Sequence, residues 1–169
     1  MSGIARMVIM GVSGSGKTAV GAALAARLGW RFIDADDLHP PANIARMSAG
    51  IPLTDQDRAP WLAAVAQQLA SGQRTVAACS ALKRVYRAAI AEAVPGVFFV
   101  HLSVPAATLA ARMRTREGHF MPAFLLDSQL SAFEPLDPGE PGIAVDADRD
   151  LDSVVDDLVK RLVDGRRDR

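Results

Sequence analysis

The chain has 169 residues, half of them apolar, and its 19 Lys and Arg residues balance 19 Asp and Glu residues. This length suits one hydrophobic core, so we expect residues 1–169 to form a single domain. The balanced charge gives no overall field to attract nucleic acid or an anionic membrane, and neither is an expected partner.

Signals for a membrane or an oxidising compartment are missing from the sequence. No stretch approaches the ~20 consecutive apolar residues that a membrane-spanning helix needs. Residues 1–10 lack the charged, apolar and small-residue regions of a signal peptide. The single cysteine, Cys79, excludes an intrachain disulfide and a cysteine-ligated metal cluster, and we expect it to be buried in the core. These features predict a soluble, cytoplasmic protein.

Strand and helix patterns alternate along the chain. Strands are expected at residues 7–10, 30–34, 74–80, 97–103 and 142–146. Helices are expected at residues 17–28, 40–49, 55–71, 85–93, 105–116 and about 151–163. Gly29 ends the first helix, and an Asp or Thr cap opens the helix at residue 55. The alternation predicts an α/β fold in which helices cover both faces of a parallel five-stranded sheet. Ligands then belong at the carboxyl ends of the strands.

Two segments depart from this alternation. A helical pair occupies about residues 36–72, and residues 115–141 mix helix signals with Gly118, Pro122, Pro135 and Pro138. Excursions of this kind from a compact sheet are where substrate clamps and lids are found. We interpret the first segment as a helical substrate-binding insertion and the second as a lid.

A phosphate-binding loop lies between the first strand and the first helix. Residues 11–18 read GVSGSGKT and match G-x-x-x-x-G-K-[ST] at every defined position. Glycines let the backbone N–H groups point at phosphate oxygens, and the helix adds the positive end of its dipole. The expected nucleotide ligands are Gly11, Ser13, Gly14, Ser15, Gly16, Lys17 and Thr18. Lys17 is expected at the β- and γ-phosphates and Thr18 at Mg²⁺, so the loop predicts binding of ATP or GTP.

Acidic residues follow the second strand, on the same edge of the predicted sheet. Asp36 is the first candidate to accept a proton from the substrate hydroxyl or to orient it. Asp34 is the alternative, or holds Mg²⁺ through water. In many P-loop proteins an apolar strand ends in an Asp that helps to hold Mg²⁺. The third strand here ends in Ala78, Cys79 and Ser80 instead, so we expect Asp34, Asp36 or Ser80 to hold the metal. After the fifth strand, the segment 146–148 is a candidate neighbour of the adenine ring.

A long run of motifs resembles the gluconate kinase family. Residues 34–44 read DADDLHPPANI, and residues 52–62 read PLTDQDRAPWL. The resemblance continues in CSALKRVYR at residues 79–87, in REGHF at residues 116–120, and in Gln129 with Glu134 and Pro135. It implies a three-layer, nucleoside-monophosphate-kinase-like P-loop fold and transfer from ATP to the 6-hydroxyl of D-gluconate. It also implies a homodimer, and a product, 6-phospho-D-gluconate, that feeds the pentose phosphate pathway.

Gluconate is a carboxylate attached to a polyol, so its site needs cations for the acid and polar side chains for the hydroxyls. The candidates for substrate binding are Asp36, His39, Arg46, Arg58, Lys83, Arg87, His119 and Gln129, the last from the resemblance. Arg112 and Arg116 share one helix face, whereas Arg114 points away. We expect this pair to contact the phosphates of ATP as a catalytic clamp that closes over the site.

Two other functions remain open at this point. A shikimate kinase is the rival enzyme because shikimate is also a hydroxylated carboxylic acid, but the L-H-P and S-A-L-K segments favour gluconate. A nucleotide-binding switch would bind ATP without a small-molecule acceptor. The density of Asp, Arg and Lys at the predicted strand ends argues against a switch. An assay of ADP release with different acceptors separates the three.

Overall fold

The computed structural model describes residues 3–115 and 123–164. The strands are β1 (Arg6–Met10), β2 (Arg31–Asp34), β3 (Thr75–Ala78), β4 (Val97–Ser103) and β5 (Gly142–Asp146). They form one parallel sheet in the order β2-β3-β1-β4-β5. The predicted parallel sheet is therefore confirmed, with β1 at its centre.

The helices follow the predicted alternation with small changes at their ends. They are α1 (Lys17–Leu28), α2 (Pro41–Ser48), α3 (Asp55–Leu69), α4 (Arg84–Ala93), α5 (Ala106–Arg114), α6 (Ala123–Ala132) and α7 (Leu151–Asp164). A short 3-10 helix, Ala35–Leu38, follows β2. The helix α6, which lies inside the expected lid, was not predicted as a separate element. No helix in the described ranges is long and apolar enough to cross a membrane.

Helices pack on both faces of the sheet, and β1 shows how the sequence achieves this. Successive side chains of a strand point to opposite faces. Val8 and Met10 lie in a buried cluster with Trp61 of α3 and Ile90 of α4. Their neighbours Met7 and Ile9 lie in a second cluster, with Leu24 of α1 and Leu158 of α7. A strand buried on both faces requires the continuous apolar run that the sequence has here, and the result is three layers. A single domain over residues 1–169 stays a prediction.

Local contacts fix the helical pair α2 and α3 against the end of β2. Thr54 accepts a hydrogen bond from the Asp57 amide, and the Asp57 carboxylate accepts one from the Thr54 amide, so the predicted cap of α3 is a capping box. The buried Asn43 of α2 donates to the Asp57 carbonyl oxygen at 2.8 Å. Trp61 of α3 donates its indole N–H to the Ala35 carbonyl oxygen at 2.6 Å. The insertion is thereby joined to the edge of the sheet that carries the acidic residues.

Candidate active site

The loop between β1 and α1 needs glycine at positions where a side chain would collide. Gly11 has φ 149°, and a Cβ there would meet Ser15 Oγ at 2.9 Å and the Leu102 carbonyl oxygen at 3.2 Å. Gly16, with φ 95°, is the left-handed residue that starts α1. The backbone can therefore turn tightly and lead directly into the helix N-terminus, as a phosphate-binding loop requires.

A cleft of about 700 Å³ opens over this loop. Its lining includes these residues predicted to bind nucleotide or to catalyse transfer: Ser13, Gly14, Ser15, Gly16, Lys17, Thr18, Asp34, Asp36 and Arg112. Gly11 is absent from that lining and is buried. Arg116 and His119 lie outside the described residues. The structure thus brings most of the predicted phosphate and acid residues to one place.

The two carboxylates at the end of β2 have different partners. Asp34 accepts a hydrogen bond from the Thr18 hydroxyl at 2.7 Å, and its other oxygen accepts one from the Asp36 amide at 3.0 Å. Asp34 is therefore held beside the start of α1. Ser80, the other candidate for metal binding, accepts a hydrogen bond from the Gly11 amide through its carbonyl oxygen at 3.3 Å.

Asp36 lines the open cleft and is exposed as a residue, but the surrounding protein partly shields its carboxyl group from water. Burial raises the pKa of the Asp36 carboxyl, and the negative charge of Asp34 raises it further. Lys17 opposes this shift through its positive charge, as His39 does when its ring is protonated, and Asp37 adds to the shift. The net direction is upward, which brings this carboxyl closer to the range of a proton acceptor working near neutral pH.

A polar cluster joins the start of α3 to the start of α4, and we call it the Asp55 cluster: Asp55, Arg58, Lys83 and Tyr86. Asp55 accepts hydrogen bonds from the Lys83 ammonium at 3.0 Å and from the Tyr86 hydroxyl. Arg58 and Lys83 each lie 5.5 Å from the centre of the Tyr86 ring. The predicted residues Arg58 and Lys83 therefore come together. Asp55 and the hydroxyl of Tyr86 were not predicted, although both stand in the motifs that carry the family resemblance.

His39 and Arg46 also lie on the helical insertion but have partners within it. The His39 ring stacks on Trp61 with 4.4 Å between centroids. Burial lowers the pKa of His39, which favours the neutral imidazole. Arg46 Nε lies 3.4 Å from a carboxylate oxygen of Asp57. Neither residue belongs to the described lining of the cleft.

Arg87 is a correction to the predicted substrate site. Its side chain has no exposed surface and pairs with Glu140 through Nε at 2.6 Å and Nη2 at 2.9 Å. Its other guanidinium hydrogens are donated to four backbone carbonyl oxygens, those of residues 81, 82, 134 and 135. A guanidinium with five N–H donors has none left for gluconate in this arrangement. Arg87 instead connects α4 to the segment that precedes β5.

Arg112 and Gln129 both contact the phosphate loop. Arg112 donates to the Gly14 carbonyl oxygen at 3.4 Å and to the Ala147 carbonyl oxygen at 3.1 Å. The Gln129 side-chain oxygen accepts a hydrogen bond from the Ser13 amide at 2.7 Å. Gln129, which was expected to bind substrate, thus contacts the phosphate loop, and a contact with substrate stays a prediction.

Sequence reasoning missed part of the cleft wall. Residues from the end of α5, from the segment after β5 and from the start of α7 also line it: Met113, Thr115, Ala147, Arg149, Leu151 and Val154. The candidate adenine neighbours at residues 146–148 include one of these, Ala147. The position of that segment after the last strand of a parallel sheet was the available signal.

A phosphate loop after the central strand of a parallel sheet, with two carboxylates after β2 on the same edge, defines a P-loop kinase fold and site. A family model described as an AAA domain matches residues 7–136. The gluconokinase of Gluconobacter oxydans (strain 621H) is 48% identical over 160 residues, which cover 92% of this chain and 90% of the relative. The crystal structure of a gluconokinase from Sinorhizobium meliloti 1021 is 48% identical, has a TM-score of 0.87, and covers 94% of this chain and 91% of that one. This chain belongs to the gluconokinase family.

The fold is also shared beyond that family. A shikimate kinase structure from Bacteroides thetaiotaomicron has a TM-score of 0.68 at 19% identity, covering 94% of this chain and 98% of that one. Similarity at this level concerns the fold alone. The family and the geometry of the site both identify this protein as an ATP-dependent kinase.

Proposed function

We propose that this protein is a gluconokinase, which transfers the γ-phosphate of ATP to the 6-hydroxyl of D-gluconate to give 6-phospho-D-gluconate and ADP. The observation that carries the proposal is the meeting of the phosphate loop with Asp34 and Asp36 in one cleft. It occurs in a chain nearly half identical to a gluconokinase over most of its length. A nucleotide switch needs no second polar site, whereas a kinase must hold an acceptor beside the γ-phosphate.

The nucleotide lies with its phosphates on the loop and its base toward the wall formed by α5 and the start of α7. Backbone N–H groups of the loop and the α1 N-terminus neutralise the phosphate charge. Lys17 supplies an ammonium at the β- and γ-phosphates. Arg112 is already in contact with the loop through Gly14, so it is the first cation of the proposed clamp. Arg116 is proposed as its second member.

Mg²⁺ is the proposed metal partner of the nucleotide. Among the described residues, no group of three or more His, Cys, Asp or Glu side chains is arranged to hold a metal. The Thr18 hydroxyl and the Asp34 carboxylate, 2.7 Å apart beside the loop, nevertheless fit an ion that takes one or two protein oxygens along with water and phosphate. When bound, Mg²⁺ neutralises charge on the phosphates and helps to orient them.

Asp36 is the proposed proton acceptor. As the 6-hydroxyl oxygen forms its bond to the γ-phosphorus, the bond to the ADP oxygen breaks and the hydroxyl proton passes to the Asp36 carboxylate. The raised pKa of Asp36 favours this transfer. The remaining residues position the substrates, since phosphoryl transfer needs little covalent help from protein.

The Asp55 cluster is the proposed site for the carboxylate end of gluconate. Arg58 and Lys83 place two positive charges beside the Tyr86 ring, and within this cluster Asp55 balances only one of them. A second carboxylate, from the substrate, would balance it. His39 and Arg46, which lie on the same insertion, and His119, which belongs to the expected lid segment, are proposed contacts for the hydroxyl groups.

The remaining proposals concern the setting of the enzyme. We propose a homodimer in the cytoplasm, supplying phosphorylated gluconate to the pentose phosphate pathway. The support is the resemblance of the motifs to the family, together with a chain that shows no charge pattern for nucleic acid or membranes.

The position of the transferred phosphate tests the proposed reaction. The protein is incubated with ATP, Mg²⁺ and D-gluconate, and the product is examined by phosphorus and proton NMR. We expect one phosphomonoester whose phosphorus couples to the two protons on carbon 6. Coupling of the phosphorus to the single proton of a secondary carbon, or the appearance of inorganic phosphate alone, would contradict the proposal.

A further inference from the structure

One hydrogen bond joins α6 to the phosphate loop across 116 positions of sequence. The Ser13 amide donates to Gln129 Oε1 at 2.7 Å. Because the donor is a backbone N–H, the side chain must present its oxygen, and this fixes the orientation of the Gln129 amide. The described lining of the cleft contains Ser13 but not Gln129, so Gln129 contacts the loop without lining the cleft.

The same peptide group is held at its other end. The carbonyl oxygen of Val12 belongs to the peptide whose N–H is that of Ser13. That oxygen accepts a hydrogen bond from the Lys17 ammonium at 3.1 Å and from the Ser15 amide at 3.2 Å. Gln129 and Lys17 therefore bind opposite edges of the same peptide group, Gln129 at its N–H and Lys17 at its carbonyl oxygen.

Apolar packing places Gln129 at this position. The buried side chains of Val12, Leu109 and Leu126 form one cluster with Leu82. Leu130 and Phe133 of the same α6 region pack against that cluster. Residues 126, 129, 130 and 133 follow the spacing of one helix face, so packing of the apolar members directs Gln129 toward the loop.

We propose that Gln129 is a positioning residue for phosphoryl transfer, which fixes the peptide between Val12 and Ser13 and through it the ammonium of Lys17. The proposal rests on the proposed kinase function. It assigns Gln129 to the phosphate side of the reaction rather than to the polyol. Loss of the acceptor would leave the peptide held only at its carbonyl oxygen and would let the ammonium shift, and small misplacements of a charge-stabilising group are costly to transfer.

The test compares Gln129→Met with Asp127→Asn, an exposed position on the same helix. Methionine keeps the length of the side chain but offers no strong acceptor. We expect Gln129→Met to lower kcat and the affinity for a non-hydrolysable ATP analogue about tenfold each, with the KM for gluconate within about threefold of wild type. Asp127→Asn is expected to match the wild type in all three.

A second comparison separates positioning from general weakening of the fold. Binding of the ATP analogue is measured for Lys17→Met and for the double variant Lys17→Met/Gln129→Met. If Gln129 acts through Lys17, the loss caused by Gln129→Met shrinks to about twofold or less once Lys17 is gone. An equal loss in both backgrounds overturns the proposal. So does a rise in the gluconate KM with nucleotide affinity unchanged, because that result makes Gln129 a direct substrate contact.

Gln129→Glu covers the case in which the methionine variant does not fold. It keeps an acceptor oxygen for the Ser13 amide but adds a negative charge beside the phosphates, so ADP binding is compared at high salt, where that charge is screened, and we expect an affinity within about threefold of wild type. A larger loss of ADP affinity at high salt in a folded Gln129→Glu protein contradicts the proposal. All nucleotide binding is measured without gluconate. A wild-type protein that fails to phosphorylate gluconate refutes the proposed function, whereas the binding measurements test the contact between Gln129 and the loop independently.

Discussion

Asp34 and Asp36 lie two positions apart but have different surroundings. Asp34 is fixed by the Thr18 hydroxyl and by a backbone amide, so its charge is well compensated. Asp36 faces the cleft, and burial together with the neighbouring Asp34 raises the pKa of its carboxyl. The sequence left base and metal partner open between the two. These contacts favour Asp36 as the base and Asp34 as the partner of Mg²⁺.

Asp36→Asn should lower kcat by about 10²–10⁴-fold, the range expected for loss of a general base. The affinity for ATP should stay within a few-fold of wild type, because the phosphate loop is unchanged. Steady-state kinetics and direct nucleotide binding check the two quantities. Near-normal turnover by the variant would remove Asp36 from the position of base.

The raised pKa of Asp36 also links activity and stability to pH. Activity of the wild type should fall as pH drops through this raised pKa, and the residual activity of Asp36→Asn should lack that acidic limb. The folded state binds the Asp36 proton more tightly than the unfolded chain does, so stability is lost as pH rises through the folded pKa. Asp36→Asn should therefore melt at a higher temperature than wild type at neutral pH. The difference should vanish below the ordinary Asp pKa of 3.8.

Side-chain partners were the least predictable part of the site. The sequence identified Arg87 as a cation near the end of a strand, but its pairing with Glu140 depends on a segment about fifty residues away. Gln129 likewise meets Ser13 from far along the chain. Contacts of this kind depend on how layers pack, and neither local propensity nor motif spacing encodes them. The phosphate loop was predictable because one short segment, residues 11–18, contains every residue of the motif.

At the scale of elements, the junction of α3 and α4 carries the proposed carboxylate site. Lys83 immediately precedes α4, and Asp55 is the first residue of α3. Their ion pair at 3.0 Å, with the Tyr86 hydroxyl on the same carboxylate, fixes the two helix starts relative to each other. The hydrogen bonds from Tyr86 and Lys83 lower the pKa of Asp55, which keeps this carboxylate ionised.

Lys83→Met should raise the KM for gluconate about tenfold to a hundredfold, the effect of losing one hydrogen bond to a charged group. The KM for ATP should change little, because Lys83 is not part of the described cleft lining. Lys160→Met is the matched control, since Lys160 is exposed on α7. An unchanged gluconate KM in the Lys83 variant would contradict the proposed carboxylate site.

The existence of nearly every element could be predicted, whereas their ends and α6 could not. The third strand was expected at residues 74–80 but spans only Thr75–Ala78. Beyond it, Ala81 has φ 43°, a left-handed conformation that is unusual for a residue with a side chain. Apolar composition alone does not reveal such a turn. Within residues 115–141, glycine and proline signals hid the helix Ala123–Ala132.

For the molecule as a whole, the parallel sheet explains why distant motifs share one site. The order β2-β3-β1-β4-β5 places β1, with the phosphate loop at its carboxyl end, between β3 and β4. The carboxyl end of β2, with its two acids, lies one strand further along the same edge. The alternation of strands and helices predicted this edge, while the strand order was expected only from the resemblance to the family.

The central claim is that this cleft phosphorylates gluconate, and an acceptor comparison tests it most directly. ADP release is followed with ATP and Mg²⁺ in the presence of gluconate, shikimate, glucose or no acceptor, with Asp36→Asn as the control protein. We predict release that depends on gluconate and is lost in the variant. Equal release with and without every acceptor, or release specific to another acid, would contradict the account.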